Sequence, residues 1–122
     1  MKVEFHIKDI AITAKQKSLI EKKLLRLKRY IKDEPLLIDC YLRDETSPEK
    51  GGTDQAVELS TIVSKEKIFI REVDDRLMRA FVFAYKHFER QLQRLHKQRI
   101  DRSHQGSENY ISKALKALRI KR

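Results

Sequence analysis

Between Leu77 and Leu95 apolar residues return every three or four positions: Leu77, Phe81, Ala84, Phe88, Leu92 and Leu95. That period is the stripe of an amphipathic helix, and such a stripe must be covered by something. The spacing predicts a helix over about residues 75–100, with Asp74 or Asp75 as its cap. A second stripe, Ile20, Leu24, Leu27 and Ile31, predicts a helix over about 14–32. Thr13 sits at its N-cap, and Asp33, Glu34 and Pro35 end it.

The cover for both helices is written between and before them. Residues 2–8 alternate, with Val3, Phe5 and Ile7 on one side and Lys2, Glu4, His6 and Lys8 on the other. This is a strand with one buried face. Residues 36–43 carry Ile38, Cys40 and Leu42 on one face, and residues 55–63 carry Val57, Leu59, Thr61 and Val63. IFIREV, residues 68–73, follows the short turn SKEK as a fourth strand. TSPEKGGTD, residues 46–54, is a polar loop, and the short connections make strands two to four antiparallel hairpins. The expected fold class is α+β, in the order β-α-β-β-β-α. Four strands form one sheet, and both helices pack on one of its faces. The arrangement is like that of a double-stranded RNA-binding domain.

A domain of about residues 1–100 is followed by a basic tail, 101–122. The tail carries six Lys or Arg against two acids. Its first ten residues are polar, and ISKALKALRI, 111–120, has the spacing of a short helix.

Charge gives the first indication of a partner. The 122 residues hold 28 Lys and Arg against 18 Asp and Glu, a net charge of +10. An excess of that size attracts polyanions, above all nucleic acid. Its distribution sharpens the point. At about 100° per residue, with Leu77 at zero, Arg76, Arg79, Lys86, His87, Arg90, Arg94 and Lys97 fall between about 180° and 280°. Phe83 lies inside that arc and Glu89 outside it. On the first helix Lys15, Lys22, Arg26 and Arg29 fall between about 180° and 240° from Ile20, with Lys23 and Lys28 at the edges of the stripe. A solvated helix face mixes signs, because Glu–Lys pairs stabilise it. These outer arcs are nearly all of one sign, which favours binding to structured RNA or DNA over a merely solvated face. Phe83 either stacks on a base or touches the tail.

Little in the chain suggests chemistry. Cys40 is the sole cysteine and has the inward parity of its strand. No intramolecular disulfide is possible, which fits a reducing cytoplasm. His6, His87, His96 and His104 are scattered, without a compact metal-ligand spacing. There is no phosphate-cradling GxxxxGK[ST] or GxGxxG loop, and Gly51-Gly52 reads as turn chemistry. The N-terminus has no signal-peptide core, and no run is long enough to span a membrane. The expectation is a non-enzymatic, cytoplasmic binding protein with no cofactor and no metal.

The order of elements and several local patterns resemble the ribosome hibernation-promoting factors, also called ribosome-associated inhibitors, of bacteria. Ile10 and Ile12-Thr13 precede the first helix, which then carries Lys22 or Lys23, Leu27 and Tyr30. The second helix carries Arg90, Gln91, Leu92 and Arg94, followed by His96-Lys97. The resemblance covers about residues 1–100. One departure lies in RLMRAFV, residues 76–82, where Ala80 is kept but Met78 and Val82 stand in place of a Tyr and an Asp. The resemblance implies a translation inhibitor active under stress. It would dock its basic helix faces on small-subunit ribosomal RNA and block the tRNA and mRNA region, with the 70S ribosome as a further partner. It implies RNA contacts at Lys22, Lys23, Arg26, Lys86, Arg90, Arg94 and Lys97, and more weakly at Arg29, Arg79 and Arg99. Longer members carry a dimerisation domain, for which 122 residues leave no room. The alternatives are a general double-stranded RNA binder and a protein-interaction module using the tail helix.

Overall fold

The structure, a computed structural model, describes residues 1–32, 34–46 and 53–120, with side chains described up to residue 98. The elements are β1 Lys2–Lys8, α1 Ala14–Leu25, a 3-10 segment Arg26–Tyr30, β2 Leu37–Asp44, β3 Gln55–Val63, β4 Glu66–Asp74 and α2 Leu77–Ile120. The expected β-α-β-β-β-α order is present. The chain divides into two compact units, Met1–Leu92 and Gln93–Arg122. Among the described residues no helix is long and apolar enough to cross a membrane.

The four strands form one sheet in the order β1-β2-β3-β4. β1 and β2 run parallel, with Val3 opposite Ile38 and Phe5 opposite Cys40. Parallel neighbours need a long crossover, and α1 with the 3-10 segment supplies it. β2–β3 and β3–β4 are antiparallel. Ile38, Cys40, Leu42, Val57, Leu59, Val63 and Ile68 are buried on one face of this sheet. Against them lie Ile20, Leu24, Leu27 and Ile31 from the first helical stripe, and Leu77, Phe81, Ala84, Phe88 and Leu92 from the second, all buried. Burial of one such side chain contributes roughly 1.5–3 kcal/mol.

The helix starts follow their local chemistry. Thr13 Oγ1 accepts from Gln16 N at 3.1 Å, and Gln16 Oε1 accepts from Thr13 N at 3.0 Å. This reciprocal box satisfies two donors that the helix leaves open. At α2, Asp74 Oδ1 accepts from Arg76 N at 3.2 Å.

Four differences from the sequence reading have physical causes. The first helix tightens to 3-10 geometry after Leu25, as helix ends often do, yet keeps its stripe inward. β1 is less buried than expected: Val3 and Phe5 are half-buried and Ile7 is 43% exposed. It is an edge strand with a neighbour on one side only, and Phe5 is covered by the stem of Lys17, whose Nζ sits 5.2 Å from the ring centroid. β4 starts at Glu66, so the turn shrinks to Ser64 and Lys65, both left-handed at φ 49° and 70°. A two-residue turn of that kind matches the twist of its strands. Finally, α2 is helical through 101–110, where a break was expected, and ends at Ile120. No proline interrupts that stretch, and its one glycine, Gly106, costs a helix only about 1 kcal/mol.

Candidate RNA-binding face

The first unit presents two sets of cations on the side of its helices that turns away from the core. Lys15, Lys22, Lys23, Arg26 and Arg29 are exposed on α1 and the 3-10 segment. Arg76, Arg79, Lys86, His87 and Arg90 are exposed at the start of α2. The cause is the helical period itself: burying Ile20–Leu24–Leu27 and Phe81–Ala84–Phe88 leaves the intervening positions outward. Phe83 joins them at 42% exposed.

Three contacts bring these segments side by side. Arg29 Nη2 donates to Glu89 Oε2 at 3.0 Å. Lys23 Nζ lies 5.1 Å from the Tyr85 ring centroid. Glu89 also accepts from the hydroxyls of Tyr30, at 3.4 Å, and Tyr85, at 3.5 Å. Burial first, and then the Glu89 carboxylate, push the Tyr85 hydroxyl pKa upward. Sequence periodicity did not single out this junction. Its one signal was the position of Glu89, an acid lying between the apolar and basic arcs of α2.

The candidate residues are not electrostatically alike. Arg79 is paired with Asp74 at 3.3 Å, and His87 Nδ1 with Glu72 Oε1 at 2.9 Å. Both acids come from the end of β4, so the basic arc of α2 is partly compensated at its start. Arg29 is compensated by Glu89. Among the described residues no ion pair engages Lys22, Arg26, Lys86 or Arg90. These four, with Lys23 over its aromatic ring, are candidate residues whose charge stays open to an incoming phosphate. Arg94 and Lys97 belong to the second unit and are exposed there. The side chain of Arg99 lies outside the described residues.

The geometry suits binding by charge. Cys40 is fully buried, and burial pushes its thiol up to about 12, so at neutral pH it is a packed thiol rather than a thiolate.

Comparison with known proteins agrees with this architecture. No curated protein matches the chain. Among solved structures, the N-terminal domain of Thermus thermophilus Protein Y superposes with a TM-score of 0.64 at 25% identity, over 78% of this chain and 99% of that one. A ribosomal subunit interface protein from Coxiella burnetii superposes with a TM-score of 0.62 at 18% identity, over 78% of this chain and 97% of that one. The family described as Sigma 54 modulation protein / S30EA ribosomal protein matches residues 3–100, which include all of the sheet but Lys2, together with α1 and the first part of α2. The chain therefore belongs to the Sigma 54 modulation protein / S30EA ribosomal protein family, the hibernation-factor family that its sequence resembles.

Proposed function

We propose that the protein is a ribosome-associated hibernation factor of the cytoplasm. It docks the outward cations of α1 and α2 on small-subunit ribosomal RNA and occupies the region where tRNA and mRNA bind. One observation carries the reading: the family match spans the unit whose helices expose Lys22, Lys23, Arg26, Lys86 and Arg90. One solved structure that shares the fold is named as a ribosomal subunit interface protein. Arg94 and Lys97 take the same role from the second unit, with Arg29, Arg79 and Arg99 as minor contributors. The mechanism is occlusion. A folded plug with a cationic face binds phosphate by releasing counterions, and no bond in the partner is made or broken.

Co-sedimentation with 30S and 70S ribosomes across a salt series tests this, with duplex RNA as competitor. Saturable binding near one-to-one that survives excess duplex is the expected result. Weak binding that disappears at modest salt, or passes fully to the duplex, would identify a general RNA binder instead.

A further inference from the structure

The sheet has a second face, turned away from the helices. β1 and β2 lie parallel there, with Glu4 opposite Asp39 and His6 opposite Tyr41. Side chains alternate along a strand, so the outward set on β1 includes Glu4 and His6, and that on β2 includes Asp39 and Tyr41. One donor atom from each of Glu4, His6 and Asp39 lies within 4.8 Å of the other two. We propose that these three residues form a binding site for a divalent transition-metal ion of the zinc class.

The donor set is one imidazole nitrogen and two carboxylate oxygens. Imidazole favours zinc, cobalt or nickel over magnesium and calcium, which take all-oxygen shells. Three protein ligands plus a water complete a tetrahedron. With metal–ligand bonds of about 2.0–2.1 Å, the donors of such a site stand about 3.3–3.5 Å apart. His6 Nε2 and Asp39 Oδ1 are already 2.9 Å apart, so an ion would open that pair slightly. Glu4 is exposed and reaches the ion by a change of rotamer.

Two further features favour an ion over a simple hydrogen bond. The imidazole is held in place before any ion arrives: it stacks on Tyr41 with centroids 4.3 Å apart and planes 14° from parallel. Arg43 in turn lies 5.5 Å from the centroid of Tyr41. The carboxylates also keep their charge available. Among the described residues no Lys or Arg ion-pairs with Glu4 or Asp39, and Arg43 is committed to Glu58 at 3.4 Å. Lys2 and Lys8 share the outward side of β1 and oppose cation binding there, which sets the affinity below that of a site without basic neighbours. The bound ion would tie the edge strand β1 to β2. It acts on the face away from the helical cations, so it raises folding stability without entering the RNA-binding face.

The test is titration of the whole protein with Zn2+ by calorimetry, and with Co2+ followed by visible absorption. One saturable Zn2+ site, a melting temperature that rises with Zn2+, and the intense bands of four-coordinate Co2+ are expected. Glu4→Gln, His6→Gln and Asp39→Asn should each weaken binding by more than about tenfold. His87→Gln, at the separate Glu72–His87 pair, should leave it unchanged. Glu4 is the deciding position, because it is exposed and makes no part of the His6–Asp39 bond, so Glu4→Gln should fold normally. Absence of a saturable site, unchanged affinity in Glu4→Gln, or loss in His87→Gln would each overturn the proposal.

Discussion

Arg29 and Glu89, sixty residues apart in the chain, are joined by a 3.0 Å hydrogen bond that links the 3-10 segment to α2. Glu89 is thus an acid at the junction of the two helical segments, beside their basic arcs, holding Arg29, Tyr30 and Tyr85 together. Two effects oppose each other when RNA approaches. The carboxylate repels phosphate, but it also fixes the direction of Arg29. Arg29 is well exposed, so screening makes the fixed direction the smaller effect. Glu89→Gln should therefore strengthen ribosome binding, by on the order of a few-fold at low salt, with the gain shrinking as salt rises. Filter binding across a salt series reads this. A loss of affinity would mean that orientation of Arg29 and Tyr30 outweighs charge.

Phe88 and Arg90 are two residues apart on α2 and face opposite ways: Phe88 is fully buried and Arg90 exposed. Phe88→Ala should cost roughly 3–5 kcal/mol of stability in urea denaturation, by cavity formation. Arg90→Glu should leave the urea midpoint nearly unchanged and weaken ribosome binding by about tenfold or more at low salt. Full affinity in a folded Arg90→Glu protein would remove this helix face from the proposed contact.

The Ser64-Lys65 turn carries two left-handed residues that are not glycine. Each side chain in that conformation costs roughly 1–2 kcal/mol, and Asn-Gly is the pair such a turn prefers. The bond that Ser64 N donates to the Glu34 carboxylate Oε1, 3.0 Å, does not depend on the side chain of Ser64 or Lys65. Replacing Ser64-Lys65 with Asn-Gly should raise stability by about 1 kcal/mol in urea denaturation. A decrease would mean that the turn has another conformation in solution.

Periodic features were readable from sequence, and features that depend on neighbours were not. The stripes Ile20–Leu24–Leu27 and Phe81–Ala84–Phe88 declare their buried side, because one helix face must be covered whatever covers it. Thr13 declared its cap, since the box with Gln16 is local. Ile7 has the same inward parity as Phe5, and only the strand order shows that β1 lies at the edge. Ser64-Lys65 carries none of the residues that mark a tight hairpin. The acids that temper the basic arc, Glu72 for His87 and Asp74 for Arg79, sit on β4, and no pattern within α2 reports them. His6 and Asp39 are separated by 33 residues and meet only because β1 and β2 are parallel in this register.

Cys40 links the core to pH. Burial raises its thiol to about 12, against an ordinary value of 9.0. The folded chain therefore keeps this proton between those values while the unfolded chain releases it. Fewer protons on the unfolded state means that stability falls as pH rises through this window, by about 1.4 kcal/mol per pH unit for one proton. Below pH 9 the contribution is fully present. Urea midpoints of wild type and Cys40→Ala, compared from pH 8 to 11, should converge as pH rises, because the variant lacks this loss. The difference isolates Cys40 from the lysines and tyrosines that titrate in both proteins. Thiol labelling at pH 8 should be slow in the native protein and fast in urea, since the reagent reaches a buried sulfur only through opening. Rapid labelling of the native state, or a midpoint difference that does not change with pH, would mean that Cys40 is not sealed between the sheet and the helices.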